Sequence, residues 1–223
     1  MNSAWLSQSV SSSLEVNRVL RNTYFMLSLT LLCSALFAGL AMAMNASFLN
    51  PIVFLIVAIG FPFALGALRN SGWGILLTFA YTAFMGWMIG PLLNAYIHQF
   101  TNGSQLVMMA LGGTGLIFLG LSAIALNPAR NFFKLGPFVF VGAIVALVLM
   151  VIGLFIHAPA LQVAVSVIFA LVSGAMILFE TNSIVHGGER NYLIATVNLY
   201  VSIINIFLTL LQLLSLFGGN RNN

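Results

Sequence analysis

Aspartate is missing from this sequence, and only three glutamates, Glu15, Glu180 and Glu189, supply negative charge. With seven lysines and arginines added, 4% of the 223 residues are charged, against about a quarter in a soluble domain. So few charges cannot coat a globular surface in water, which excludes a soluble enzyme. The 61% hydrophobic content excludes a disordered segment. The bases are scattered without a run or a patch, so the pI near 9.7 does not indicate a nucleic-acid surface. A single cysteine, Cys33, lies within an apolar run and offers neither a disulfide framework nor a metal cluster.

What the chain has instead is apolar length, with a mean hydropathy of +1.10. Crossing a bilayer takes about 20 mostly apolar residues. Seven segments meet that requirement, near 24–44, 51–68, 73–97, 106–126, 136–157, 160–183 and 192–217. The expected fold is all-α: a polytopic membrane protein of seven transmembrane helices. A polar N-terminal tail is expected over 1–23, the transmembrane domain over 24–217 and a short C-terminal tail over 218–223. Although Ala41-Met42-Ala43 resembles a signal-peptide cleavage site, the first apolar run is too long and starts too late, and reads as a retained span. With the N-terminus cytoplasmic, Arg18, Arg21, Arg69, Arg130, Lys134 and Arg190 all fall on the cytoplasmic side, and only Arg221 falls outside. That asymmetry follows the positive-inside rule and places the C-terminus outside.

Polar residues inside the spans are the candidates for function. Glu180 is the one acid embedded in an apolar run, and an intramembrane acid is costly enough to need a reason. Gln162, Ser166, Ser173 and Glu180 recur at spacings of four, seven and seven, and so share one helix face. In the last span Asn198, Ser202, Asn205, Thr209 and Gln212 alternate spacings of four and three, and the opposite face is aliphatic and aromatic. Such a stripe should face inward, either as interhelical hydrogen-bond glue or as the wall of a polar path. Glu180 and Ser202 are expected at similar depth on facing antiparallel helices.

Elsewhere, Gly86-x-x-x-Gly90 followed by Pro91 predicts close helix packing and a kink. Gly112-Gly113-Thr114-Gly115 lacks the strand-turn-helix setting of a phosphate loop and reads as packing. His98 and His157 fall at span ends, and His186 at a helix C-terminus before Gly187-Gly188. An intramembrane protease would need a serine with a histidine at mid-depth, or two aspartates. Neither arrangement exists, and no enzyme is expected.

Phe179-Glu180-Thr181-Asn182-Ser183-Ile184-Val185-His186-Gly187-Gly188, followed by Leu199-Tyr200-Val201-Ser202-Ile203-Ile204-Asn205-Ile206-Phe207, resembles the Bax inhibitor-1 family. The likeness extends upstream through Val19-Leu20-Arg21-Asn22-Thr23-Tyr24-Phe25, Ile89-Gly90-Pro91-Leu92-Leu93-Asn94 and Met109-Ala110-Leu111-Gly112-Gly113-Thr114. The resemblance implies that the last helix is central, surrounded by the other six. Several members of the family are pH-sensitive calcium leaks. Their sensor is a pair of acids, on the sixth and seventh helices, latched by an arginine at the end of the second. Glu180 matches the sixth-helix acid and Arg69 the latch, whereas the seventh-helix acid falls at Ser202. Two facing carboxylates can share a proton, and Glu180 lacks that partner. With Ser202 and Asn205 it would give calcium fewer charged ligands than a pair of acids does. No resident cofactor is expected, only transient calcium at Glu180. A bacterial inner-membrane branch of the family is linked with the membrane-bound AAA protease FtsH, which gives a second implied role: a protease modulator acting by protein–protein contact, with the N-terminal tail as its handle. The expected partners are thus the lipid bilayer and FtsH, with no nucleic acid.

Overall fold

The structure, a computed structural model, describes residues 3–155 and 158–220. The chain forms seven helices, α1 (Ser3–Ala43), α2 (Pro51–Leu68), α3 (Gly72–Gln99), α4 (Gly103–Ala125), α5 (Leu135–Phe155), α6 (Pro159–Val185) and α7 (Tyr192–Gly218). All seven are long and apolar enough to cross a membrane.

Six of the expected spans coincide with helices to within a few residues, because the same apolar run that must fill the bilayer must also hydrogen-bond its own backbone. His157, at the expected end of the fifth, lies outside the described residues, as does Arg221. The first span differs. Helix α1 begins at Ser3, and its membrane-capable part is Leu14–Ala43. The segment expected as a tail is therefore helical from Ser3 onward. No glycine or proline interrupts residues 3–38, and Leu14, Val16, Val19 and Leu20 carry an apolar face back past Glu15 and Arg18. A helix does not have to stop where its polar residues begin.

The ends follow local chemistry. Asn50 caps α2, its side-chain oxygen accepting from the Ile52 N–H at 2.9 Å, with Pro51 in the first turn. Helix α1 ends on Asn45 in the left-handed conformation, with the Ala46 N–H donating back to the Ala41 carbonyl. Helix α6 ends the same way on Gly187 at φ +73°, with the Gly188 N–H donating to the Ser183 carbonyl at 2.8 Å.

The chain divides into two units. One comprises Met1–Phe25 and Gly115–Ile206. Its core joins Val19 of α1, Ile184 of α6 and Ala195 of α7, with Leu20 and Tyr192 packed on them. Helix α5 lies along α6, where a Cβ at Gly142 would stand 2.6 Å from Val172 Cγ2. The rest of α5 is a lipid-facing surface of exposed Phe138, Phe140, Val141, Val148 and Phe155.

The other unit comprises Met26–Thr114 and Phe207–Asn223. Here the Gly86-x-x-x-Gly90 expectation is met by a backbone-on-backbone crossing of α1 and α3. A Cβ at Gly86 would overlap the Ser34 carbonyl oxygen, and one at Gly90 would fall 2.8 Å from that of Ala38. Helix α2 packs on α3 through stacked Phe61 and Tyr81 rings, 4.0 Å apart at 13°. Of the seven spans, α7 buries the largest share, 50%, with α3 next at 44%. Tyr200, Leu193, Leu199 and Leu211, all of α7, are among the largest fully buried side chains.

Candidate functional site

Within the first unit, α6 and α7 set their polar faces against each other. Glu180 is 3% exposed. Its Oε2 accepts a hydrogen bond from Asn198 Nδ2 at 3.2 Å. One level away, Asn205 Nδ2 donates to Ser173 Oγ at 3.2 Å. Ser173 precedes Glu180 by seven residues, as Asn198 precedes Asn205, so the two contacts are rungs two turns apart on antiparallel helices. The repeat of seven read from sequence is what lets both rungs form at once.

The α7 group that reaches Glu180 is Asn198, one turn before Ser202. The Ser202 hydroxyl, also buried, donates to the Asn198 carbonyl of its own helix at 2.8 Å, a bond that serine forms readily to the residue four before it. The second carboxylate oxygen, Glu180 Oε1, is buried without a hydrogen-bond partner among the described residues, as are Thr23 Oγ1 and Ser122 Oγ. A buried carboxylate oxygen in that position is open to a proton, a water or a cation.

Arg69, Thr209 and Gln212 lie in the second unit. Arg69 is the exposed C-cap of α2. Thr209 is buried, and Gln212 lines a cavity at the end of α7. Among the described residues no cluster of three histidine, cysteine or acidic side chains could hold a metal ion. The oxygens nearest to a calcium site are those of one carboxylate and neutral amide and hydroxyl groups, short of the six to eight ligands, several of them carboxylate, that hold the ion firmly.

Sequence reasoning passed over Asn182. Two residues after Glu180 and fully buried, it ties down the connection from α4 to α5. Its Nδ2 donates to the carbonyls of Ala125 at 3.2 Å and Arg130 at 2.9 Å, and its Oδ1 accepts the Phe132 N–H at 2.8 Å. The one signal was its place, a carboxamide in the polar stretch Glu180–Ser183 a single turn before the helix ends. Nearby, Tyr24 of α1 contacts Thr181 through their hydroxyls at 3.4 Å, and Thr196 of α7 donates to the Thr23 carbonyl at 3.3 Å. His186 sits at the α6 C-terminus as expected, its Nδ1 2.9 Å from the Asn182 carbonyl and its ring edge-on to Phe133. Glu189 is engaged at the start of α7, where Oε1 accepts the Asn191 N–H at 2.6 Å, and Asn191 in turn caps Leu193 and Ile194.

Chemically, this arrangement is a two-rung polar seam with one acid whose second oxygen is unpartnered. It contains no nucleophile–base pair. Comparison with known proteins puts the same geometry in context. The family described as "Inhibitor of apoptosis-promoting Bax1" matches residues 16–221. An uncharacterized protein of Pseudomonas aeruginosa is 44% identical over 215 residues, covering 96% of each chain. "Modulator of FtsH protease YccA" of Escherichia coli K12 is 42% identical over 204 residues, covering 92% of each. An uncharacterized membrane protein of Vibrio cholerae is 39% identical over 96% of each.

Proposed function

We propose that this chain, which belongs to the Bax inhibitor-1 family, restrains a membrane-bound AAA protease of the FtsH type by direct contact, from within the bacterial inner membrane. One observation carries the reading. The relative named as a modulator of FtsH matches 92% of this chain and is itself 92% covered, so the likeness spans all seven helices rather than one shared motif. The family's description as an inhibitor and the relative's as a modulator both suit a protein that acts by binding rather than by catalysis. The N-terminal half of α1, packed through Val19 on Ile184 of α6 and Ala195 of α7 and joined to the connection between those helices by the Glu15–Arg190 pair at 4.0 Å, offers a helical handle to such a partner. The test is co-reconstitution of the full chain with FtsH in liposomes, following degradation of a model membrane substrate. Slower degradation with the full chain, and no slowing after deletion of residues 2–13, is the expected result. Degradation that ignores the chain altogether overturns the reading.

A second reading, a cation leak that includes calcium, is favoured by the partnerless Glu180 Oε1 beside the Asn198 and Ser173–Asn205 contacts. In that reading Glu180 is the gate, Ser202, Asn205, Thr209 and Gln212 extend a polar path along α7, and Arg69 is the closed-state latch that the family resemblance implies. Calcium and potassium flux in proteoliposomes, in mildly acid and mildly alkaline buffer, tests it. Flux altered by Glu180→Gln and by Arg69→Gln is expected. Absence of flux from the wild type rules the leak out and leaves the protease role intact.

A further inference from the structure

Five of the seven lysines and arginines gather at one end of the first unit. Arg18 and Arg21 stand on α1, Arg130 and Lys134 on the connection from α4 to α5, and Arg190 on the connection from α6 to α7. Contacts between these segments bring them together. Val16 Cγ2 lies 4.0 Å from where a Cβ at Gly187 would stand, and Phe133 Cε1 lies 3.3 Å from the same point at Gly188. The Arg130 carbonyl accepts from Asn182 Nδ2 of α6, next to the Thr181 that Tyr24 of α1 meets.

The charges at this end do not cancel. Five bases face two acids, Glu15 and Glu189, which leaves an excess of three positive charges. Both acids are already engaged, Glu15 with Arg190 and Glu189 with the Asn191 N–H. Among the described residues none of Arg18, Arg21, Arg130 and Lys134 pairs with a carboxylate, and all four are exposed.

Arg130 and Lys134 are the best placed of the four. The spans on either side end at Ala125 and begin at Leu135, which puts both bases at headgroup depth. The backbone that carries them is held in place. Asn182 Oδ1 accepts the Phe132 N–H at 2.8 Å, Asn131 Oδ1 accepts the Phe133 N–H at 2.9 Å, and the Phe133 ring stands edge-on to Phe179 and His186. A loop fixed beforehand loses little entropy when it takes a ligand.

Below these bases the surface turns apolar. Lys134 is followed at spacings of four, three, four and three by Phe138, Val141, Val145 and Val148, all exposed. That spacing makes one helix face, headed by a cation and continued by hydrocarbon. Its occupant must carry an anion at headgroup depth and an apolar chain beneath it. A phosphodiester fits the head, because its two free oxygens can accept from the Arg130 guanidinium and the Lys134 ammonium together. A zwitterionic lipid fits less well, since its own ammonium is repelled by the same bases. An acidic protein surface would answer the charge but not the stripe.

We propose that Arg130 and Lys134 hold the phosphodiester of an anionic phospholipid whose acyl chain lies along the Phe138–Val148 face of α5. Arg18 and Arg21 add attraction at longer range. Neither the protease reading nor the leak reading uses these four bases.

The test uses the full chain in nanodiscs of equal parts phosphatidylethanolamine and phosphatidylglycerol with matched acyl chains. Retained lipid is counted by native mass spectrometry. Preferential retention of phosphatidylglycerol, weakened about fivefold by Arg130→Gln and by Lys134→Gln but not by Lys134→Arg, is the expected result. Phosphatidylglycerol with a diazirine in its acyl chain should label residues 138–148 on irradiation. Both bases are exposed, so these substitutions should leave folding intact. Equal retention of the two lipids by the folded wild type overturns the proposal. Phosphatidylglycerol retention that neither glutamine substitution weakens overturns it too, as does labelling confined to other helices. In parallel, a polyglutamate peptide is titrated against the chain in phosphatidylcholine nanodiscs. Peptide binding that needs Arg130 and Lys134, without any preference for phosphatidylglycerol, assigns the patch to an acidic protein partner and sinks the lipid site.

Discussion

Asn198 donates from its carboxamide to Glu180 across the α6–α7 seam at 3.2 Å, and through this contact the last helix meets the buried acid of α6. One oxygen of that acid is satisfied and the other is not. The two residues should therefore be energetically coupled. Asn198→Leu leaves both carboxylate oxygens without that donor and is expected to destabilise the protein by about 1.5–3 kcal/mol, the range for a hydrogen bond to a charged group. Glu180→Gln keeps an acceptor for Asn198 and should change stability by less. In the Glu180→Gln background, the loss from Asn198→Leu should shrink. A double-mutant cycle of thermal unfolding in nanodiscs measures the difference. Independent, additive losses would show that the pair is only adjacent.

The second rung makes a contrasting prediction. Asn205 and Ser173 are both neutral and share one hydrogen bond at 3.2 Å. Polar contacts of this kind between transmembrane helices average about 0.6 kcal/mol. Ser173→Ala should lower stability by roughly that much, well below the loss from Asn198→Leu. Comparable losses at the two rungs would mean that the Glu180 carboxylate is not the dominant member of the seam.

Reading the sequence placed the spans well and the seam in part, and the reason differs in each case. Pro51–Leu68 or Tyr192–Gly218 could be read almost to the residue, because bilayer thickness dictates the length of an apolar run. The heptad spacing of Ser173 and Glu180, and of Asn198 and Asn205, named the facing surfaces. It could not set their register, because one turn of sliding preserves the stripe. Asn198 therefore occupies the place opposite Glu180, with Ser202 turned back onto its own helix. That helix α1 starts as early as Ser3 could not be read from the sequence for a different reason. Serines and charges over residues 7–18 mark where lipid ends, not where helical hydrogen bonding ends. The cavity that Gln212 lines could not be read from sequence at all, since Asn102 has to find Gly218 and Asn220 before its walls exist.

Gly86 and Gly90 mark a place where size alone should decide. Backbone of α1 occupies the space that a Cβ at Gly86 would need, and backbone cannot rotate aside as a side-chain tip can. Gly86→Ala is expected to cost about 1–3 kcal/mol, typical of an overpacked interior. Gly112→Ala, where a Cβ meets nothing within 4 Å, should be near neutral. Thermal unfolding of the two variants side by side separates packing from helix propensity, because both changes favour the helix equally. Equal stability of the two would mean that α1 and α3 cross with more room than the structure gives them.

Asn182 ties α6 to the connection between α4 and α5, and its removal should be felt locally before it is felt globally. Asn182→Leu deprives the Ala125 and Arg130 carbonyls and the Phe132 N–H of their partners at once. Each buried group left unsatisfied costs about 1–3 kcal/mol unless water reaches it. This connection carries exposed Arg130 and Lys134 and lies at a helix end, so water can reach it. The expected outcome is therefore a loosened segment rather than an unfolded bundle. Hydrogen–deuterium exchange should rise over residues 127–134 while α5 and α6 stay protected. Because Asn182 follows Glu180 by two residues, exchange at the same segment also reports on the seam. Glu180→Gln should leave residues 127–134 protected if the two features are independent, and should raise their exchange if α6 transmits changes from one to the other.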